Sequence, residues 1–258
     1  MKSKFYLYLV YVVLALSNTS IIPIVYAENE DENYASTVII IDIGLDLTKQ
    51  ALLTNNYDSA EKYSALINNF YGKNIQFLRT FNSELSDEVH IRLLDLHSDI
   101  LAKVESSDLI DQIDQLQKSF THVTSIGNSI GNSNGNSNVI AFSILSEADV
   151  QYQFAIQDNS IESYFLTLSL IEQSKVIFEQ NPTSDERLNQ ELHSFFDDLI
   201  KSVSNKNDFV VVGNLITAIQ RDLVQTETVA IDKTNLYDVI RNLYADLSNS
   251  VTSGDYAT

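Results

Sequence analysis

The chain has 258 residues, of which 35 are acidic and 16 are basic, and its formal net charge is −19. The absence of cysteine excludes disulfide scaffolds, Cys-ligated metal centres and cysteine nucleophiles. The acidity argues against nucleic acid and against an anionic lipid surface as partners, because both are bound by clustered Lys and Arg. The apolar share of 44% is too high for a disordered acidic tail, so the composition predicts a folded protein with a sizeable core.

The first 27 residues have the pattern of an export signal. Two lysines precede an uninterrupted apolar run, Phe5–Leu16, which is long enough for a signal peptide and too short to span a bilayer alone. We predict a signal peptide over 1–27 that is cleaved after Ala27; the alternative is an uncleaved membrane anchor through residues 5–27. Either way the remainder is expected outside the cytoplasm, extracellular or at the cell surface. Cleavage leaves 14 basic and 35 acidic residues, a net charge of −21.

After a polar, acidic lead-in at 28–35, the apolar residues recur at helical spacing. Two stretches share the offsets 0, 4, 7, 11 and 15, which place their residues on one face of a helix. The tripeptides Ser86-Asp87-Glu88 and Ser184-Asp185-Glu186 precede them, and each offers an N-cap with acidic residues for the positive end of the helix dipole. The two apolar sets are Val89, Leu93, Leu96, Ile100, Val104 and Leu188, Leu192, Phe195, Leu199, Val203.

This similarity extends in both directions and predicts two tandem four-helix units, at 36–123 and 139–225. An uncharged Gly/Asn/Ser segment at 124–138 separates them and is expected to be a flexible linker. The same spacing returns once more within 232–258. This last segment is expected to be either a truncated third unit or a capping helix. The sequence therefore predicts an all-α protein of two four-helix repeat units plus a C-terminal helix, after a signal peptide.

The sequence carries no recognisable catalytic motif. The pattern G-x-S-x-G occurs twice within 124–138, but a nucleophile elbow requires a strand before the serine and a helix after it. Phosphate-binding, dinucleotide-binding, zinc-protease and EF-hand motifs are absent from the sequence. We therefore expect no enzyme, no catalytic residue and no organic cofactor.

Four residues are candidate metal ligands: Asp87, His90, His97 and His193. His90 and His97 are seven residues apart and share a helix face with Asp87, and His193 lies in the corresponding helix of the second unit. Imidazole and carboxylate groups in such a row can bind iron or another divalent cation. The alternative is that the histidines are structural. Each of them directly follows a residue of an apolar stripe, and this position lies at the solvated edge of an amphipathic helix.

Several short motifs resemble the extracytoplasmic helical region of prokaryotic iron permeases, relatives of the oxidase-linked high-affinity iron transporters. They are Asn56-Tyr57-Asp58 with Ala60, Ser86-Asp87-Glu88, Ser184-Asp185-Glu186 and Gly254-Asp255-Tyr256-Ala257, so the resemblance spans 36–258. It implies a helical module that acts beside a membrane protein. The family's transport motif, Glu-x-x-Glu on transmembrane helices, is absent from this sequence, so no transport residue is carried over.

These observations favour a non-enzymatic extracytoplasmic helical module. In one version it is the cation- or partner-binding front end of an iron-permease-like membrane protein, and its negative charge attracts cations. In the alternative it is a ligand-sensing or structural four-helix domain of a cell-surface protein, since helical bundles bind small molecules between their helices. The sequence does not fix the oligomeric state.

Overall fold

A computed structural model describes residues 30–130 and 136–228 of the chain, and these are helical except for short turns. The predicted signal peptide at 1–27 and the extra segment at 232–258 lie outside the described residues. The prediction of an all-α fold with two four-helix units is confirmed. The helices of the first unit are α1 (Glu30–Leu53), α2 (Tyr57–Phe81), α3 (Ser83–Leu101) and α4 (Ser106–Ile130). Those of the second unit are α5 (Asn136–Gln157), α6 (Ile161–Gln180), α7 (Glu186–Ser204) and α8 (Phe209–Thr228).

Two segments that were expected to be non-helical, at 28–35 and 124–138, are partly helical. The acidic lead-in at 28–35 belongs to α1 from Glu30 onward, because acidic residues are favourable at the positive end of a helix dipole and Glu32 is buried there. The predicted linker at 124–138 is helical at both ends, since α4 continues to Ile130 and α5 begins at Asn136. Once a helix is packed, each added residue gains one backbone hydrogen bond, so the helix continues into residues of low propensity.

The turns show the internal repeat most clearly. In both units the first and second helices, and the third and fourth helices, are joined through a residue in the left-handed conformation. These residues are Asn55, Lys103, Asn159 and Lys206, with φ between 50° and 56°. A non-glycine residue adopts this conformation uncommonly, so its recurrence at four corresponding corners supports the predicted duplication.

The apolar stripes pack as predicted, with three corrections. Val89, Leu93, Leu96 and Ile100 are buried in the first unit, and Leu192, Leu199 and Val203 in the second. In α7 it is Phe196, rather than Phe195, that is fully buried, while Phe195 packs at the edge of the core. Helix α3 begins one turn earlier than expected because Asn82 is its N-cap, so Ser86 lies inside the helix and donates its hydroxyl to the Asn82 carbonyl. The helical spacing of Phe165 predicts a core residue as well, but the structure leaves its side chain exposed.

The two units share part of their cores. Helix α1 presents Val38, Ile41 and Leu45 to the core of the first unit, and Ala35 and Ile40 to the core of the second. Leu47 of α1, with Leu66 and Phe70 of α2, packs against both cores. An α-helix that is apolar on several sides is normally buried, which is the position of α1 between the two units.

Helices α1 and α2 are closely packed at Gly44. A Cβ atom added there would lie 2.5 Å from Cγ1 of Ile67 on α2, a distance that requires the neighbour to move. The hydroxyl of Thr48 donates to the Gly44 carbonyl and is buried at the same crossing. Glycine is therefore required here by the contact between helices rather than by a turn.

We expect the substitution Gly44→Ala to lower the free energy of unfolding by about 1–3 kcal/mol through overpacking. Gly72→Ala is the matched control, because nothing lies within 4 Å of a Cβ atom at Gly72, on the exposed side of α2. The control is expected to stabilise the protein by up to about 1 kcal/mol through helix propensity. Urea denaturation of the two variants measures both effects, and equal stabilisation by the two substitutions would contradict the close crossing.

Candidate functional site

The predicted metal ligands on α3 have separate partners. The Asp87 carboxylate accepts from Nε of Arg79 at 2.8 Å and is also paired with its Nη2 at 2.7 Å. The His90 ring stacks on Tyr71, with 5.7 Å between ring centroids. Nδ1 of His97 is 2.7 Å from the hydroxyl of Ser64 on α2. These contacts tie α3 to α2 within the first unit.

The fourth predicted ligand, His193, lies on α7 in the second unit. Its Nδ1 is 3.2 Å from Oε1 of Glu179, and its ring packs edge-on against Phe178 of α6. His90 and His193 thus both contact an aromatic ring on the second helix of their own unit. The structure does not bring the four predicted ligands together, and residues 30–130 and 136–228 contain no group of three or more His, Asp or Glu suited to hold a metal ion.

A polar cleft between the two units is the most distinctive site that the structure describes. It lies between α2 and α5 and has a volume of about 620 Å³, within the range of small-molecule sites. We call it the inter-unit cleft. Helix α2 lines it with Lys62, Ala65, Leu66, Asn69, Phe70 and Lys73; α5 contributes Glu147, Gln151 and Phe154, and the following turn and α6 add Asp158, Ser160 and Ser163.

Gln151 is a residue of the cleft lining and has an unsatisfied polar atom below the surface. Its side-chain Nε2 donates to Oε1 of Glu147 at 2.7 Å, which fixes the orientation of the amide. Its Oε1 is buried without a hydrogen-bond partner, and the residue is only 6% exposed. A buried acceptor left unpaired costs about 1–3 kcal/mol, so this atom lowers the stability of the fold.

Glu147 is held in an unfavourable environment for its charge. Burial raises the pKa of its carboxyl group, and this effect outweighs the hydrogen bond from Gln151 and the charge of Lys73, both of which lower the pKa. No ion pair involves Glu147 or Lys73 in the part of the chain that the structure describes. The cleft therefore contains a desolvated carboxyl group and a nearby ammonium group that are not in direct contact.

A buried carboxylate joins the two units beside the cleft. Glu162 lies in the first turn of α6 and its side chain is only 3% exposed. It accepts a hydrogen bond from the hydroxyl of Ser59 at 3.0 Å and is paired with Lys62 at 3.2 Å and 3.3 Å, both on α2. These bonds between α2 and α6 fix one end of the cleft and occupy Lys62, so that Lys73 is the cleft lysine without such a partner.

A second hollow adjoins the cleft on the α1 side. It has a volume of about 460 Å³ and shares Phe70 and Glu147 with the inter-unit cleft. Its wall includes Ser143, whose buried hydroxyl has no hydrogen-bond partner. Partly unsatisfied polar groups thus lie on both sides of Glu147.

Sequence reasoning missed Glu147, Gln151 and Lys73. Their only sequence signal is the pair Glu147 and Gln151, four residues apart and therefore adjacent on a helix surface. Such pairs are common on solvated helix faces. Nothing in the sequence indicates that the helix face with Glu147 and Gln151 lies against the first unit.

Comparison of the chain with protein-family models, with curated proteins and with solved structures finds no match in any of the three. Among the described residues, no helix is both long enough and apolar enough to cross a membrane.

We expect Glu147→Gln to stabilise the protein at neutral pH, by on the order of 1 kcal/mol, as is usual for a single effective substitution. The replacement keeps an acceptor for Gln151 and removes the desolvated charge. A carboxyl whose pKa is raised on folding favours the folded state when protonated, and loses that contribution as the pH rises through the folded-state pKa. The advantage of the variant should therefore disappear on acidification below 4.5, the ordinary pKa of a glutamate carboxyl group.

Glu172→Gln is the matched control, because Glu172 is exposed on α6. Urea unfolding across a pH series should give parallel curves for the control and the natural chain. A Glu147→Gln variant that is less stable at neutral pH, with a deficit that persists in acid, would contradict the desolvation of Glu147.

Proposed function

We propose that the chain is a non-enzymatic extracytoplasmic helical module that binds a small molecule in the inter-unit cleft. The observation that carries this proposal is the cleft of about 620 Å³ between α2 and α5, where Phe154 and Lys73 are exposed and Lys73 is in no ion pair among the described residues. The cleft is also lined by Glu147, whose carboxyl pKa is raised by burial. Residues that reduce stability and have no structural benefit are typical of functional sites.

The shape of the cleft also supports ligand binding. Leu66, Phe70 and Phe154 provide apolar surface among the polar groups of the cleft, and small-molecule sites combine these two kinds of surface. Phe154 is 39% exposed, although a large aromatic side chain gains free energy when it is covered. A ligand that covered Phe154 would gain this free energy.

A cation-collecting front end for an iron-permease-like membrane protein stays a prediction of the sequence. The net charge of −21 expected after cleavage favours it, through an attraction that is screened over about 8 Å at physiological salt. Titration calorimetry with ferric, ferrous and calcium ions tests this version separately from the cleft. Export and the absence of catalysis likewise remain parts of the proposal.

The test is a thermal-shift screen of the chain from residue 28 onward against amino acids, polyamines, monosaccharides and carboxylic acids. A ligand present at 100 times its Kd should stabilise the folded state by about 2.7 kcal/mol, and so raise Tm by about 5–10 °C. The same ligand should lose its effect on Ala65→Phe, in which the new ring occupies the cleft.

Ala102→Phe is the matched control, since Ala102 is exposed at the end of α3 and does not line the cleft. Ligands should stabilise this variant as much as the natural chain. The proposal fails if no compound raises Tm, or if the active compounds stabilise Ala65→Phe equally.

A further inference from the structure

The second unit has an exposed apolar face on α6. Ile161, Phe165 and Val176 are between 41% and 55% exposed, and Leu168 between them is partly buried against the core. The four residues are separated by four, three and eight positions, so they lie on one side of the helix. Single apolar residues are normal on a protein surface, whereas a continuous apolar stripe along a helix is typical of an interaction site.

The two units can be aligned through their second helices. Six of the seven buried positions of α2 recur as buried positions of α6 at a shift of 103 residues. Ala60 and Ile67 of α2, for example, match Ser163 and Leu170 of α6. This alignment gives each exposed residue of α6 a counterpart on α2, so the two helices can be compared position by position.

The counterparts of the exposed face line the inter-unit cleft, where the second unit packs against the first. The α6 residues Phe165, Leu168 and Val176 correspond to three cleft residues of α2, which are Lys62, Ala65 and Lys73. This side of α2 therefore faces α5, the first helix of the following unit. Lysine side chains keep their ammonium groups in water beside such a cleft, whereas large apolar side chains at the same positions gain free energy only when they are covered.

The chain after α8 has the sequence of another first helix. The segment at 232–258 lies outside the described residues, and its apolar residues have the offsets 0, 4, 7, 11 and 15 of an amphipathic helix. At the shift of 103 residues, three of them match buried residues of α5: Leu243, Leu247 and Val251 correspond to Ile140, Ile144 and Ala148. The segment thus repeats the sequence pattern of the helix that faces α2.

Chain direction and length allow the segment to reach the exposed face. Lys206, in the turn before α8, lies over the ring of Tyr164 near the start of α6, with Nζ 5.3 Å from the ring centre, so both helices start at the same end of the unit. Both have 20 residues, and α8 therefore ends, at Thr228, level with the end of α6. The seven residues between Thr228 and Leu236 can span up to about 25 Å, which exceeds two helix–helix distances of about 8–10 Å. A helix that starts there and returns along the unit runs antiparallel to α6.

The charges of the two surfaces are compatible. Glu172 occupies the remaining position of the α6 stripe and is in no ion pair among the described residues. In the segment, Arg241 directly follows the stripe residue Ile240, a position at the edge of the predicted apolar face. An exposed ion pair between Glu172 and Arg241 would orient the segment but contribute less than about 1 kcal/mol, so the apolar contacts carry the interaction.

We propose that the segment at 232–258 folds back antiparallel to α6 and covers Ile161, Phe165, Leu168 and Val176 with its apolar stripe. The segment then has the same relation to the second unit as α5 has to the first. The covered surface is distinct from the inter-unit cleft, so this inference does not depend on ligand binding there.

The absence of cysteine from the chain allows each position to be probed by a single introduced thiol. We expect Phe165→Cys, in the chain from residue 28 onward, to react with a maleimide about tenfold more slowly than Leu94→Cys, because a covered thiol reacts only when the covering helix opens. Leu94 on α3 is the matched control, since it is 48% exposed and Phe165 is 47% exposed among the described residues. Val176→Cys should be protected in the same way.

Two variants of the segment test what provides the protection. Leu243→Asp combined with Leu247→Asp puts two charges on the apolar stripe and should raise the reaction rate of Phe165→Cys to that of Leu94→Cys. Asn242→Asp combined with Asn249→Asp adds the same charge on the opposite side of the predicted helix and should leave the protection unchanged. Circular dichroism establishes that both variants are folded.

Equal rates for Phe165→Cys and Leu94→Cys in the otherwise natural chain overturn the proposal, whether or not the segment variants fold. Protection that survives the two stripe substitutions shows that another surface covers α6 and also overturns it. Protection that increases with protein concentration assigns the face to a second copy of the chain, which is the competing occupant. Protection that is independent of concentration and is lost only with the stripe substitutions supports the covering helix.

Discussion

Burial of α1 between two cores is the constraint on which the rest of the structure depends. Its residues Val38 and Ile41 belong to the first core, and Ile40, between them in sequence, belongs to the second. A helix that serves two cores must be apolar on more than one side and must approach its neighbours closely. The approach of α2 at Gly44 meets the second requirement, because a Cβ atom there would clash with the side chain of Ile67.

The same constraint leaves the inter-unit cleft open. The second unit rests on α1 and on Leu66 and Phe70 of α2, while the ion pair of Lys62 with Glu162 holds α6 against α2. The space that remains between α2 and α5 is lined by the polar groups that the cores do not accommodate. Glu147 and Gln151 would be replaced at little cost if stability alone were favoured, which is why we assign the cleft a role in binding.

Much of the fold could be predicted from the sequence. The apolar residues from Val89 to Ile100 recur at helical spacing, and all of them are buried. A half-exposed helix with one apolar face can bury only that face, so the spacing alone identifies the core residues. The cap of α7 was predicted one residue too early, at Ser184; the N-cap is Asp185, whose carboxylate accepts from the first backbone amides of the helix. The duplication could be predicted for the same reason, because two helices with the same spacing of apolar residues are expected to bury the same face.

The candidate site could not be predicted in this way. Helix α5 carries apolar residues around much of its surface, so its periodicity does not indicate which side meets the first unit. The positions of Glu147 and Gln151 beside Lys73 follow from the packing of one unit on the other, which the sequence of either unit does not encode locally. The predicted ligands His90 and His193 failed to meet for the converse reason, since each is placed by contacts within its own unit.

The central claim is that the two units form one cooperative body around α1, with the cleft as a fixed feature of that body. Scanning calorimetry of the chain from residue 28 onward tests it most directly. The account predicts one unfolding transition whose calorimetric and van't Hoff enthalpies agree. Two separate transitions, one for each unit, would contradict it, because independent units would hold no cleft of defined shape between them.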